Sequence, residues 1–279
     1  MNGGGKLIEA TVISRRKGIS RRSLKEVYEY RDLLYFMVLR EITVLYNQTV
    51  LGVSWAILNP LISTVVFSIV FGRLAQMPSD GVPYPLFAFA GVLPWTYFSA
   101  SVAGSSQSLI ASIGVIGKVY FPRLFIPIVP LLAKLLDFSV AFVVFLGLLL
   151  WYETRLTAAI LLVPLLLIVL MISAAGAGLL LSALALRYRD VRHASPFILQ
   201  VLLYLTPIAW PLSLVPEQWR FWFALYPMVG VVEGFRTAVL GTGVFPWQLL
   251  LASALGAVAM LGIGYAYFSV AEKDFADVA

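Results

Sequence analysis

GVLPWTYFSASVAGSSQSLIASIGVIGKVYFPRLFIP, residues 91–127, begins as an apolar, aromatic segment and thins into a Ser/Gly-rich stretch. It ends in a short basic-aromatic knot, Lys118-Val-Tyr-Phe-Pro-Arg123, before a second apolar run starts. The first part is apolar enough to enter a bilayer, and Pro94 predicts a kink within it. A membrane element that delivers a compact charged turn to one face offers a grip to a partner on that side. Gly114-Val-Ile-Gly117-Lys118 resembles half of a phosphate-binding loop, but GxxxxGK followed by Ser or Thr needs Gly at 112 and a hydroxyl at 119. The chain has Ser112 and Val119, so no nucleotide site is encoded there.

Outward from that stretch the composition is just as decisive. Of 279 residues 61% are hydrophobic and 12% charged, with a mean hydropathy of +0.91. A soluble domain carries roughly 25% charged residues, so the chain reads as an integral membrane protein. Cysteine is absent and His193 is the single histidine, which excludes a disulfide framework and a thiolate or histidine metal cluster within one chain. The formal charge of +6 points to membrane topology rather than to nucleic acid, because of where the basic residues fall.

Residues 1–22 read as a disordered basic arm with Arg15-Arg16-Lys17 and Arg21-Arg22, and residues 1–32 lack the apolar run of a cleavable signal. The remainder, 23–279, reads as one all-α transmembrane domain. Ser23-x-x-Glu26 is a capping box that opens an expected helix over 23–50. Lys25, Glu29, Asp32, Arg40, Thr43 and Asn47 form a narrow polar stripe among Leu33, Phe36, Met37, Ile42 and Leu45, as on an amphipathic helix at the membrane surface. Six spans follow at about 53–72, 84–107, 124–150, 156–186, 197–212 and 247–269. With that topology fifteen Lys/Arg fall on the side of the termini and four on the other, while Lys134 lies inside the third span. The positive-inside rule then puts both termini in the cytoplasm. Between spans five and six, Ser213–Pro246 is too long for a turn and too apolar for a solvated loop, which predicts two short re-entrant or interfacial helices facing outward.

Several residue groups are candidates for function. Tyr84, Phe87, Gly91, Trp95 and Phe98 fall at helical spacing along the second span, and Tyr204 lies on the fifth; such aromatics line a glycan path or pack in a core. Glu217 with Arg220, and Glu233 with Arg236, are pairs three residues apart in the outer segment and are candidates for an external gate. Lys134 and Asp137 repeat that spacing within the third span. A hydrolase or transferase needs a nucleophile with its base, a carboxylate pair or a metal cluster. Within the spans Asp137 is the one acid, so catalysis by this chain is poorly supported.

The chain resembles the permease subunits of ATP-binding-cassette exporters for polysaccharides and polyol phosphates. The match rests on Arg40-Glu41-Ile42 through Tyr46 to Trp55 and Pro60, on Gly91-Val-Leu-Pro-Trp95 with Lys118–Arg123, and on Arg187-Tyr-Arg-Asp-Val-Arg192. Leu205-Thr-Pro207, Val215-Pro-Glu217 and Glu233-Gly-Phe-Arg236 complete it. Two departures stand out: Leu45 and Asn47 where the family commonly has basic residues beside the tyrosine, and Tyr226-Pro227 where it often has Asn-Pro. The resemblance implies a homodimer in the bacterial cytoplasmic (inner) membrane, docked on two separate ATPase subunits that bind ATP and Mg, with no cofactor in this chain. It implies that Arg40, Glu41, Lys118, Tyr120, Phe121, Pro122 and Arg123 meet those motors. It also implies that a lipid-linked polysaccharide (O-antigen, capsular or teichoic acid chain) passes between the two copies. Exporters of drugs or lipids share this architecture, and a membrane enzyme of glycan synthesis is the rival from another class.

Overall fold

A computed structural model describes residues 29–47, 52–112, 114, 121–154 and 157–272. The expected basic arm and the first part of the 23–50 helix lie outside these, as do Lys118 and Tyr120. Every regular element among the described residues is helical. Five helices are long and apolar enough to cross a membrane, or up to six if one sharply bent pair counts as a span.

Helix α1, Arg31–Asn47, has no buried residue and lies against α4. Its Tyr35 and Phe36 are exposed, whereas Met37 packs on the bundle. Helix α2, Ser54–Phe67, contains Pro60 and widens at Ser68–Leu74 into a π-helical turn. Helix α3, Tyr84–Ala111, is the axle of the fold. It is 28 residues long, about 42 Å at 1.5 Å per residue, and from Leu86 to Trp95 it is buried all round. No face of it reads as polar because α4, α5 and α8 surround it. Stacking of Phe89 on Phe145 at 4.9 Å fixes α3 against α4, Phe125–Trp151.

A short 3₁₀ turn, Ala158–Leu162, leads into α5, Val163–Arg187, which packs most extensively on α9, Trp247–Ala271. Small residues make that packing close. A β-carbon on Gly264 would run into the Gly176 carbonyl, and one on Gly176 would sit 2.6 Å from the Met260 carbonyl carbon. This is the small-residue contact by which helices approach each other in lipid.

The expected fifth span is where sequence and structure differ. Instead of 197–212, helix α6 runs Val191–Leu205 and stops. Its fifteen residues reach about 22 Å, short of a roughly 30 Å hydrocarbon core. The cause is local. Thr206 precedes Pro207 and is driven extended, with ψ 135°, since a proline ring clashes with a helical residue before it. Pro211 and Pro216 keep the chain from resuming a long helix. The two helices expected outside are α7, Glu217–Phe223, and α8, Pro227–Leu240, which meet at 112°. Nearly all of α8 is buried, from Pro227 to Leu240, so it re-enters the bundle rather than lying on it.

Candidate functional site

The break after α6 creates a problem that the outer end of the molecule is built to solve. Residues 206–209 are not helical, yet Thr206, Ile208 and Ala209 are buried. Backbone carbonyls freed at membrane depth must find donors inside the protein. Arg236, on α8 and only 2% exposed, donates from Nη2 to the Ile208 carbonyl at 2.7 Å. Tyr84, at the start of α3, donates its hydroxyl to the Ala209 carbonyl at 2.7 Å. Thr206 donates to the Leu202 carbonyl at 2.7 Å, and its hydroxyl lies 3.2 Å from that of Tyr226. The broken segment is thereby capped by side chains from α3 and α8.

The guanidinium is held on every side. Its Nε reaches the Phe87 carbonyl at 3.4 Å, its Nη1 lies 3.5 Å from Glu233, and its carbon sits 3.6 Å from the centre of the Phe87 ring. Gly91 makes room: a β-carbon there would come 3.2 Å from both Arg236 Nη2 and the Ile208 α-carbon. Thus Tyr84, Phe87, Gly91, Glu233 and Arg236, read from sequence as an aromatic stripe and a separate charge pair, converge on one latch.

The other expected gate pair is looser. Glu217 is 91% exposed in its side chain and lies 4.0 Å from Arg220. Arg220 instead donates to the Val215 and Ser213 carbonyls, while Ser213 bonds Asp80 at 3.0 Å, so this arginine shapes the outer loop.

The aromatic stripe is not an open face of the protomer. Phe87, Trp95 and Phe98 are buried because α3 is enclosed, and Trp95 and Phe98 pack tilted at 5.7 Å. Tyr204 is 61% exposed and shares the outward side of α6 with Phe197, Val201 and Leu205.

At the opposite end of α3, Phe121 packs into a cluster of Leu109, Ile126, Leu179, Ala183, Phe268 and Ala271, with Met37 of α1 against it. This joins the ends of α3, α5 and α9 to the start of α4. Arg123 donates from Nη1 to the Glu272 carbonyl at 2.9 Å, tying the turn to the end of α9. Pro122 lies beside it, and Arg40 is exposed on α1. Glu41 faces the bundle within electrostatic reach of Lys134, which pairs with Asp137 at 2.8 Å. His193 is exposed. Among the described residues no three His, Cys, Asp or Glu side chains gather where they would hold a metal.

A bundle of membrane-length helices with a buried latch at one end and a tied turn at the other defines a polytopic helical membrane protein. Residues 32–240 match the family described as ABC-2 type transporter, and the chain belongs to that family. It is 27% identical over 259 residues to the O-antigen export system permease protein RfbA of Myxococcus xanthus, covering 92% of this chain and 98% of that protein. An RfbA of Klebsiella pneumoniae is 26% identical over 88% of this chain and 95% of its own length. The polysialic acid transport protein KpsM of Escherichia coli is 26% identical over 85% of this chain and 92% of its own.

Two features of the site lay beyond sequence reading. Nothing marked the Ile208 and Ala209 carbonyls as acceptors; the Thr206-Pro207 step, read through as part of a span at 197–212, was the signal that would have shown a break. Tyr84 read as a ring, whereas its hydroxyl is what the fold uses.

Proposed function

We propose that this chain is the transmembrane subunit of an ATP-driven exporter that carries a lipid-linked surface polysaccharide across the bacterial cytoplasmic membrane. The observation that carries this reading is the end-to-end similarity to permeases named for O-antigen and polysialic acid, within the ABC-2 family. Two copies stand together on two separate ATPase subunits, which bind ATP and Mg; this chain performs no catalysis. Both termini face the cytoplasm, consistent with the excess of Lys and Arg on that side.

The motors push on residues 118–123 and on α1. Phe121 and Arg123 support that role, since a force on this turn reaches α3, α5 and α9 through one apolar cluster and one hydrogen bond. The path runs between copies along the exposed side of α6, with Tyr204 on it, while the Arg236 latch forms the outer closure.

The test is a deletion strain in which lipid-linked polymer inside the membrane and finished polymer at the surface are both quantified. Polymer trapped inside with a bare surface is the expected result. Loss in both places would point to an enzyme of synthesis, and unchanged amounts in both would point to export of a drug or lipid.

A further inference from the structure

A cleft of about 90 Å³ opens between α2, α3 and α4, lined in part by Trp55, Asn59, Thr96, Tyr97, Lys134 and Asp137. We infer that it is a sugar-binding site, taking the hydroxyl-rich ring of a membrane-anchored glycolipid rather than its phosphate. The inference rests on the exporter reading for which glycolipid arrives, and on the cleft's own chemistry for what it holds.

The polar groups of the cleft are biased toward accepting hydrogen bonds. Asp137 spends Oδ2 on Lys134, while its Oδ1 is buried and has no hydrogen-bond partner among the described residues. Thr96 gives its proton to the Leu93 carbonyl, which leaves its oxygen with lone pairs only, whereas the buried Tyr97 hydroxyl is already spent on the Leu131 carbonyl and lies beside Ser101. A buried acceptor without a donor is costly, so a ligand that brings O–H groups gains most here. Lys134, with protons left beyond the Asp137 bond, and the exposed Asn59 amide supply donors to the same ligand. Hydroxyls both donate and accept; phosphate oxygens accept only.

Charge points the same way. Within the cleft the Lys134 ammonium is neutralised by Asp137 at 2.8 Å, so the lining offers a phosphate no unpaired cation and tolerates a neutral sugar. Trp55, 44% exposed at the cleft, offers the flat apolar face on which the C–H side of a pyranose packs. Lys134 is nine residues into α4 from Phe125, about 13 Å along the helix.

The full-length protein in lipid nanodiscs should be titrated with glucosyl dioleoylglycerol, with dioleoylglycerol and with dioleoyl phosphatidic acid. The expected result is that the glucosyl lipid binds best, and that Asp137→Asn and Trp55→Ala each weaken it about tenfold without changing dioleoylglycerol binding. Trp55 is exposed, so its variant keeps the test valid even if Asp137→Asn melts early. Binding of the glucosyl lipid within twofold of wild type in both variants would overturn the site. So would tighter binding of phosphatidic acid that Lys134→Gln abolishes, because that is an anion site. A site that survives this titration while the deletion strain shows normal surface polymer would stand with a different glycolipid. Trapped polymer together with unaltered variants would remove the site alone.

Discussion

Replacing Arg236 with methionine tests whether the latch is an ion pair or a cap on a broken helix. An ion pair with Glu233 alone predicts that removing both charges is nearly neutral, since buried pairs are often replaced by apolar groups without loss. The structure predicts otherwise, because Nη2 serves the Ile208 carbonyl at 2.7 Å and that carbonyl stays buried when the guanidinium goes. Arg236→Met strands both Glu233 and the carbonyl, which should destabilise the fold by about 3–5 kcal/mol. Adding Glu233→Gln relieves the stranded carboxylate but not the carbonyl, so the double variant should remain about 1–3 kcal/mol below wild type. Thermal unfolding of the purified protein in one detergent reads this out. A fall of about 10 °C is expected for the single variant, by the scaling known for chains of this size, with recovery of about half in the double. A double variant that melts with wild type would refute the capping argument and leave a plain ion pair.

Tyr84→Phe should cost about 1 kcal/mol in the same melting assay by orphaning the Ala209 carbonyl, and the loss should be smaller in an Arg236→Met background, where the break is already loosened. Gly264→Val should abolish the folded yield, seen as a shift to the void volume in size exclusion, because its side chain collides with the Gly176 backbone where α5 meets α9. Arg123→Ala in the complete exporter should leave ATP hydrolysis in place and reduce polymer at the cell surface, with melting lowered by only about 1–2 kcal/mol; unchanged export would remove Arg123 from the coupling path.

What the sequence made legible was set by its strongest physical signals. Apolar runs placed five membrane-length helices, and proline and aromatic content placed two helices in the outer segment. The fifth run misled because hydropathy is blind to backbone geometry: Leu205-Thr-Pro207-Ile-Ala-Trp210 is as apolar as a span, yet Pro207 turns it into a buried break. Arg236 and Glu233 were visible as a pair from their spacing. Their joining to Tyr84 and Phe87 was not, since those residues are separated by about 150 positions and meet only through the packing of α8 on α3. That Phe87, Trp95 and Phe98 are enclosed within the protomer was hidden for a related reason: helical spacing identifies a shared face but not what covers it.

Helix α3 carries both the latch and the Phe121 cluster, and this bears on how the proposed outer closure would open. Its last turns enter the Phe121 cluster through Leu109, and its first turns bear Tyr84 and Phe87 of the latch. A helix enclosed through its middle transmits displacement as a body, because close-packed interiors yield little to bending. Each latch contact that had to open would leave a buried carbonyl without a donor, at a cost of about 1–3 kcal/mol. Moving α3, α8 and the 206–209 break together avoids that cost, and leaves the exposed segment from Ser213 to Pro216 ahead of α7 to absorb the motion. The chain has no cysteine, so the alternatives can be separated with one introduced pair. Tyr84→Cys with Ala209→Cys, joined by a short thiol cross-linker, should export at the rate of the same variant left uncrosslinked. Export that stops on cross-linking and resumes on reduction would mean that the latch itself parts, and the rigid-body argument would be lost.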